Sequence, residues 1–198
     1  MKICFASNNA HKLKEIQQLL GPPFELVSLE DLGCTQELAE DQDTLEGNAL
    51  QKASYVWEQY HVICFADDTG LEVEALNNEP GVYSARYAGP ERDNQANMRK
   101  VLENLKGQSN RKARFRTSIA LFLEEGEQHL FNGIVEGHII EEPRGEQGFG
   151  YDPIFVPEGH DRTFAQMNSQ EKNQISHRGR AVQQLVSFLQ HRYVQTGT

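Results

Sequence analysis

A chain of 198 residues, 38% hydrophobic and 24% charged, can bury a core without disulfide or metal staples and is too apolar to be disordered. Its formal net charge of -10, from 29 acidic and 19 basic residues, excludes a nucleic-acid polymer as partner, because such affinity comes from neutralising many phosphates. One small phosphorylated ligand, needing only a few local cations, stays open.

Lys2–Ser7 reads as a short buried strand, broken by Ser7-Asn8-Asn9. This start lacks the roughly 7–15-residue apolar region of a secretory signal. No later stretch nears the ~20 apolar residues of a membrane span, so no membrane partner is expected and the cytoplasm is the expected address. An amphipathic helix follows, with Leu13, Ile16 and Leu20 at helical spacing and Gly21-Pro22-Pro23 as its stop. Phe24–Leu29 reads as a second strand. After an acidic loop, Asp43 is expected to cap a helix that has Glu46 at its third position. Leu45, Ala49, Ala53, Val56 and Tyr60 then share one face. His61–Ala66 returns to strand character and is expected to end at Asp67-Asp68-Thr69-Gly70.

Leu71–Leu76 reads as a strand, Asn77–Gly81 as a turn cluster and Asp93–Leu105 as a helix. Ala113–Leu123 and Gln128–Glu136 flank a polar turn and predict a β-hairpin. Ile154–Val156 suggests another short strand, and Ser176–Tyr193 a closing helix with Val182, Leu185, Leu189 and Tyr193 in its stripe. Parallel βαβ units followed by a hairpin predict an α/β fold, a mixed sheet with helices against it, in one domain over residues 1–198. The tetrapeptide Ile3-Cys4-Phe5-Ala6 recurs as Ile63-Cys64-Phe65-Ala66, which similar buried packing of two central strands explains. Cys4, Cys34 and Cys64 form no C-x-x-C pair and are expected as buried free thiols.

Asp67 and Asp68 end an apolar run, where carboxylates are costly unless paired or bound to a cation. On a strand their side chains point oppositely. Glu40 and Asp41 form a second acidic loop, and Mg²⁺ takes one or two carboxylates with water and phosphates. The same string also fits a plain turn or cap. Ser7-Asn8-Asn9-Ala10-His11-Lys12 lies between strand and helix, where backbone N–H groups attract anions and Lys12 adds a charge; a capped turn with a solvated lysine is the alternative. Gly145-Glu146-Gln147-Gly148-Phe149-Gly150-Tyr151-Asp152-Pro153 combines three glycines of permissive backbone with the aromatic faces of Phe149 and Tyr151, as would a β-turn with buried aromatics. Lys172 and Ser176-His177-Arg178 lie near the start of the last helix; lysine and arginine carry donors only, which suits a carbonyl-rich base edge, and a charged, exposed helix start fits them as well.

Taken together, these strings resemble the inosine triphosphate pyrophosphatase family. The likeness runs through Ser7-x-Asn9-x-x-Lys12 with Glu15, Thr44-x-x-x-Asn48-Ala49-x-x-Lys52-Ala53, and Ala66-Asp67-Asp68-Thr69-Gly70-Leu71. It continues in Pro80–Tyr87, Gly148–Pro153 and Glu171-Lys172-x-x-x-Ser176-His177-Arg178. Thr69 stands where the family more often has serine, and Asn8 replaces a commoner glycine.

The resemblance implies an elongated mixed β-sheet flanked by helices, two lobes with a central active-site cleft, and a homodimer. It implies Mg²⁺-dependent hydrolysis of ITP, dITP and XTP to monophosphate and pyrophosphate. It implies Asp68 as catalytic carboxylate and metal ligand, with Glu40 as the other acidic contact. Ser7, Asn8, Asn9, Ala10, His11, Lys12, Lys52 and Thr69 would meet the triphosphate. Phe149 would stack on the base, with Gly150, Tyr151, Asp152, Lys172, His177 and Arg178 around it. Two other readings compete. A Maf-like pyrophosphatase would carry a Ser-Pro-Arg-Arg type string where Ala10-His11-Lys12 stands, and a silent nucleotide sensor would have lost an acidic ligand.

Overall fold

The computed structural model describes residues 1–194. The chain opens with β1 (Lys2–Phe5), α1 (Ala10–Leu20) and β2 (Glu25–Val27), then α2 (Leu45–Tyr60) and β3 (Cys64–Val73). Next come β4 (Glu79–Pro80), α3 (Asn94–Asn104), β5 (Lys112–Phe122) and β6 (Gln128–Ile139). β7 (Phe155–Pro157), α4 (Ser169–Ile175) and α5 (His177–Tyr193) close it. The seven strands form one mixed sheet in the order β2-β1-β3-β5-β6-β7, with β4 on β3. β1 is parallel to β2 and β3, whereas β3–β4 and β6–β7 are antiparallel.

Two compact units divide the chain. The first takes residues 1–68, 117–133 and 178 onward; the second takes 69–116 and 134–177. In the first, strand alternation sends Ile3, Phe5, Phe65, Ile119 and Leu121 to one face, against Ile16 and Leu20 of α1 and Val182, Leu185 and Leu189 of α5. The intervening Cys4, Ala6, Cys64, Ala66, Ala120 and Phe122 meet Ala49, Ala53 and Val56 of α2. Helices therefore cover both faces, which is why these strands read as unbroken apolar runs. The repeated tetrapeptide is explained by this packing. Cys4 stands opposite Cys64 and Phe5 opposite Phe65, and the two rings stack at 5.0 Å. All three cysteines are buried and free.

The second unit has its own core. Leu71 and Val73 of β3, Phe115 of β5, Val135 and Ile139 of β6 and Phe155 of β7 pack with Met98 and Val101 of α3. Alternate residues on these strands are charged: Arg114 pairs with Glu72 at 2.7 Å, beside a cavity of about 720 Å³ also lined by Glu136 and His138.

Three expectations change. The cap of α2 is Thr44, not Asp43. Thr44 is the extended residue directly before the first turn (φ -130°, ψ 156°), and its hydroxyl accepts from Gly47 N at 2.9 Å. The strand expected to end before Asp67 runs on to Val73, because both buried aspartates find partners and the chain need not turn outward to solvate them. Residues 169–175 form a separate short helix, closed at its start by reciprocal bonds between Asn168 and Glu171.

Candidate active site

The first unit gathers the charged residues around β3. Where β1 gives way to α1, Ser7 Oγ accepts from Asn9 N at 3.1 Å. Asn9 Oδ1 accepts from His11 N and Lys12 N at 3.1 and 3.2 Å. Two first-turn amides expected to meet an anion are thus satisfied by the helix's own cap. Asn8, Asn9, Ala10 and His11 are exposed, and the positive charge comes from Lys12.

Alternation on β3 separates the two aspartates. Asp67 shares the Phe65 side, toward α1 and α5; its carboxylate accepts from Lys12 Nζ and Arg178 Nε, each at 3.1 Å. Arg178 also donates to buried Glu15 through Nη1. Asp68 shares the Ala66 side, toward α2, and accepts from Asn48 Nδ2 at 2.9 Å. One turn along α2, Lys52 Nζ donates to Glu40 Oε1 and to the Asp67 carbonyl, both at 2.6 Å.

These surroundings set the neighbours apart. Burial would raise the Asp67 carboxyl, but Lys12, Arg178 and Lys52 hold it well below the usual carboxylate range. For Asp68 burial prevails: its carboxyl lies above the ordinary value, with Lys52 and Lys12 opposing and Glu40 adding to the rise. Burial lowers the Lys12 ammonium. Lys52 is also subject to burial, yet Glu40, Asp67 and Asp68 together raise it.

The second unit holds the aromatic group. Asp152 Oδ2 accepts from Lys172 Nζ at 2.7 Å and from Phe149 N at 3.0 Å. Lys172 Nζ lies 4.9 Å from the centroid of the half-buried Phe149 ring. A Cβ on Gly148, whose φ is +72°, would fall 2.1 Å from Asp152 Oδ2; this glycine admits the protein's own carboxylate. Gly150 (φ +60°) has open space around it. Tyr151 is buried, its hydroxyl donating to Ser84 O at 2.6 Å, and His177 stacks on Phe115 at 4.6 Å. Thr69 lies on β3, just past Asp68.

The structure brings together Lys12, Glu40, Lys52, Asp68 and Arg178 in one unit, and Phe149, Gly150, Tyr151, Asp152, Lys172 and His177 in the other. The structure adds Glu15 and Asn48 to this group and gives Asp67 a supporting place beside Asp68; Asn48 stands four residues before Lys52, a spacing that puts both on one helix face.

Lysines and hard oxygen donors at a central strand of an α/β sheet define a class: a protein built to handle phosphoryl groups. The family model described as Ham1 family matches residues 3–188, and the chain belongs to that family. It is 53% identical to the dITP/XTP pyrophosphatase of Flavobacterium johnsoniae, over 96% of this chain and 98% of that protein. It is 46% identical to the dITP/XTP pyrophosphatase of Bacillus subtilis, over 93% and 95%. Among solved structures it is similar to the Staphylococcus aureus Ham1 protein, with TM-score 0.88 at 38% identity, over 97% of this chain and 100% of that one. A HAM1 protein from Coxiella burnetii matches with TM-score 0.89 at 40% identity, over 96% and 99%.

Proposed function

We propose that this chain hydrolyses dITP, ITP and XTP to the nucleoside monophosphate and pyrophosphate, with Mg²⁺ as cofactor, in the cytoplasm. The observation that carries this is the pair Asp67–Asp68, adjacent buried carboxylates on one strand: Asp67 accepts from Lys12 and Arg178 at 3.1 Å each, while Asp68 accepts from Asn48 at 2.9 Å beside the Lys52–Glu40 pair. Different partners suit two neighbouring carboxylates to different roles.

Asp68 is the base that takes the proton of the attacking water at the α-phosphorus, a role typically contributing ~10²–10⁴-fold. Lys12, Lys52 and Thr69 bind the triphosphate, and the loop Ser7–His11 meets it other than through the His11 and Lys12 amides, which Asn9 caps. Asp67 holds Lys12 and Arg178 in place. Asp68 and Glu40 are the hard oxygen donors that would hold Mg²⁺, which takes one or two carboxylates with water and phosphates; Lys52 Nζ lies 2.6 Å from Glu40 Oε1. When bound, the ion would neutralise charge on the departing pyrophosphate.

Phe149 supplies the stacking face and Lys172, fixed by Asp152, donates to the 6-carbonyl of the base. Arg178 is the second such donor. Gly150 and His177 complete the base surroundings, and Tyr151 supports the loop through Ser84. Adenine presents N–H where a carbonyl is needed, leaving buried donors unpaired, a mismatch worth ~10⁴-fold or more.

The test is purified protein with Mg²⁺ and a panel of nucleoside triphosphates, scored separately for pyrophosphate and phosphate. Pyrophosphate from dITP, ITP and XTP far exceeding that from ATP is expected, with Asp68→Asn losing at least about 10²-fold. Release of single phosphate, or equal turnover of ATP, overturns the assignment.

A further inference from the structure

Asn48 lies on α2 with 1% of its surface exposed. Its Nδ2 donates to Asp68 Oδ2 and its Oδ1 accepts from Gln42 N, each at 2.9 Å. Only one amide orientation serves both, since a flip would set N–H against N–H and oxygen against carboxylate. Gln42 lies two residues after Glu40. The neighbouring α2 side chains stitch the same loop: Gln51 Nε2 donates to Asp41 Oδ1 at 2.7 Å, and Lys52 holds Glu40 at 2.6 Å. Asn48, Gln51 and Lys52 fall at helical i, i+3, i+4 spacing and present one face to residues 40–42.

We infer that Asn48 is a positioning residue for the reaction: it sets the rotation of the Asp68 carboxylate and ties to it the loop that carries Glu40. This rests on Asp68 and Glu40 having the roles given above. A residue that served stability alone would show activity falling only with the folded fraction. One that orients Asp68 changes kcat in fully folded protein.

Two substitutions separate its arms. Asn48→Ala removes both bonds. Asn48→Asp is nearly isosteric and keeps the acceptor for Gln42 N, but loses the donor to Asp68 and sets a like charge beside it. In metal-free protein, hydrogen exchange at the Gln42 amide should accelerate in Asn48→Ala and stay near wild type in Asn48→Asp. Both variants should lose kcat for dITP by about ten- to a hundred-fold, the weight of a charge-assisted hydrogen bond, with KM little changed. The Mg²⁺ concentration for half-maximal rate should rise in Asn48→Ala. Wild-type kcat in folded Asn48→Asp overturns the inference, as does failure of both variants to fold or a kcat loss matching the unfolded fraction. Wild-type turnover in Asp68→Asn would instead remove the role of Asp68 on which the inference stands.

Discussion

Arg178 is the largest fully buried side chain in the chain's core, at 1% exposure, and two carboxylates surround its guanidinium. Removing one partner of a buried ion pair costs about 3–5 kcal/mol; here Glu15 loses its Arg178 bond and Asp67 keeps only the cations Lys12 and Lys52. Arg178→Ala should therefore lose about that much stability in urea unfolding, and Arg178→Lys is the variant suited to kinetics. Lysine keeps the charge but not the fork, so dITP should suffer more than dATP. The ratio of their kcat/KM values should narrow by about ten- to a hundred-fold. Lys12→Ala, altering a triphosphate contact common to both nucleotides, should lower the two alike. Equal falls in Arg178→Lys would move Arg178 to the phosphate contacts. The cysteines behave as core residues: burial first, then Cys34 and Asp31, push the Cys4 thiol up to about 12. Burial raises Cys64 as well. Iodoacetamide should label these two thiols slowly in native protein and rapidly after denaturation.

Among the elements, α2 ties the acidic loop to the central strand through Asn48, Gln51 and Lys52. Its apolar stripe was legible in the spacing of Leu45, Ala49, Ala53 and Val56, all buried. The same helix lays Asn48 and Lys52 against β3. The continuation of β3 through Asp67 and Asp68 was not legible, because a strand tolerates buried carboxylates only when distant cations and amides meet them. The glycine loop was legible as permissive backbone, but not as a socket for Asp152. Gly148→Ala tests that socket. The left-handed φ of +72° and the 2.1 Å approach to Asp152 should cost about 1–3 kcal/mol. Displacing Asp152 should also release Lys172, so KM for dITP should rise while the pyrophosphate product is unchanged. A wild-type KM in that variant would detach Asp152 from base binding.

At the scale of the molecule, the two units carry separate apolar cores, and Leu105 and Leu185 are fully buried in one each. Leu105→Ala and Leu185→Ala should each cost about 2–5 kcal/mol in denaturant unfolding. The homodimer expected from family likeness is checked by light scattering at assay concentration; a fully active monomer would remove it. No helix among the described residues is long and apolar enough to cross a membrane. Local features can be read along the chain. The periods of apolar residues set helices α1, α2 and α5, two runs flanking a polar turn set the β5–β6 hairpin, and ordered motifs named the chemistry. Which charges meet depends on the folded chain. Arg178 bonds Asp67 across 111 residues and Glu15 across 163, and spacing says nothing about such pairs: periodicity reports which face a residue takes within its own element, whereas the partner on that face is chosen by sheet order and helix packing.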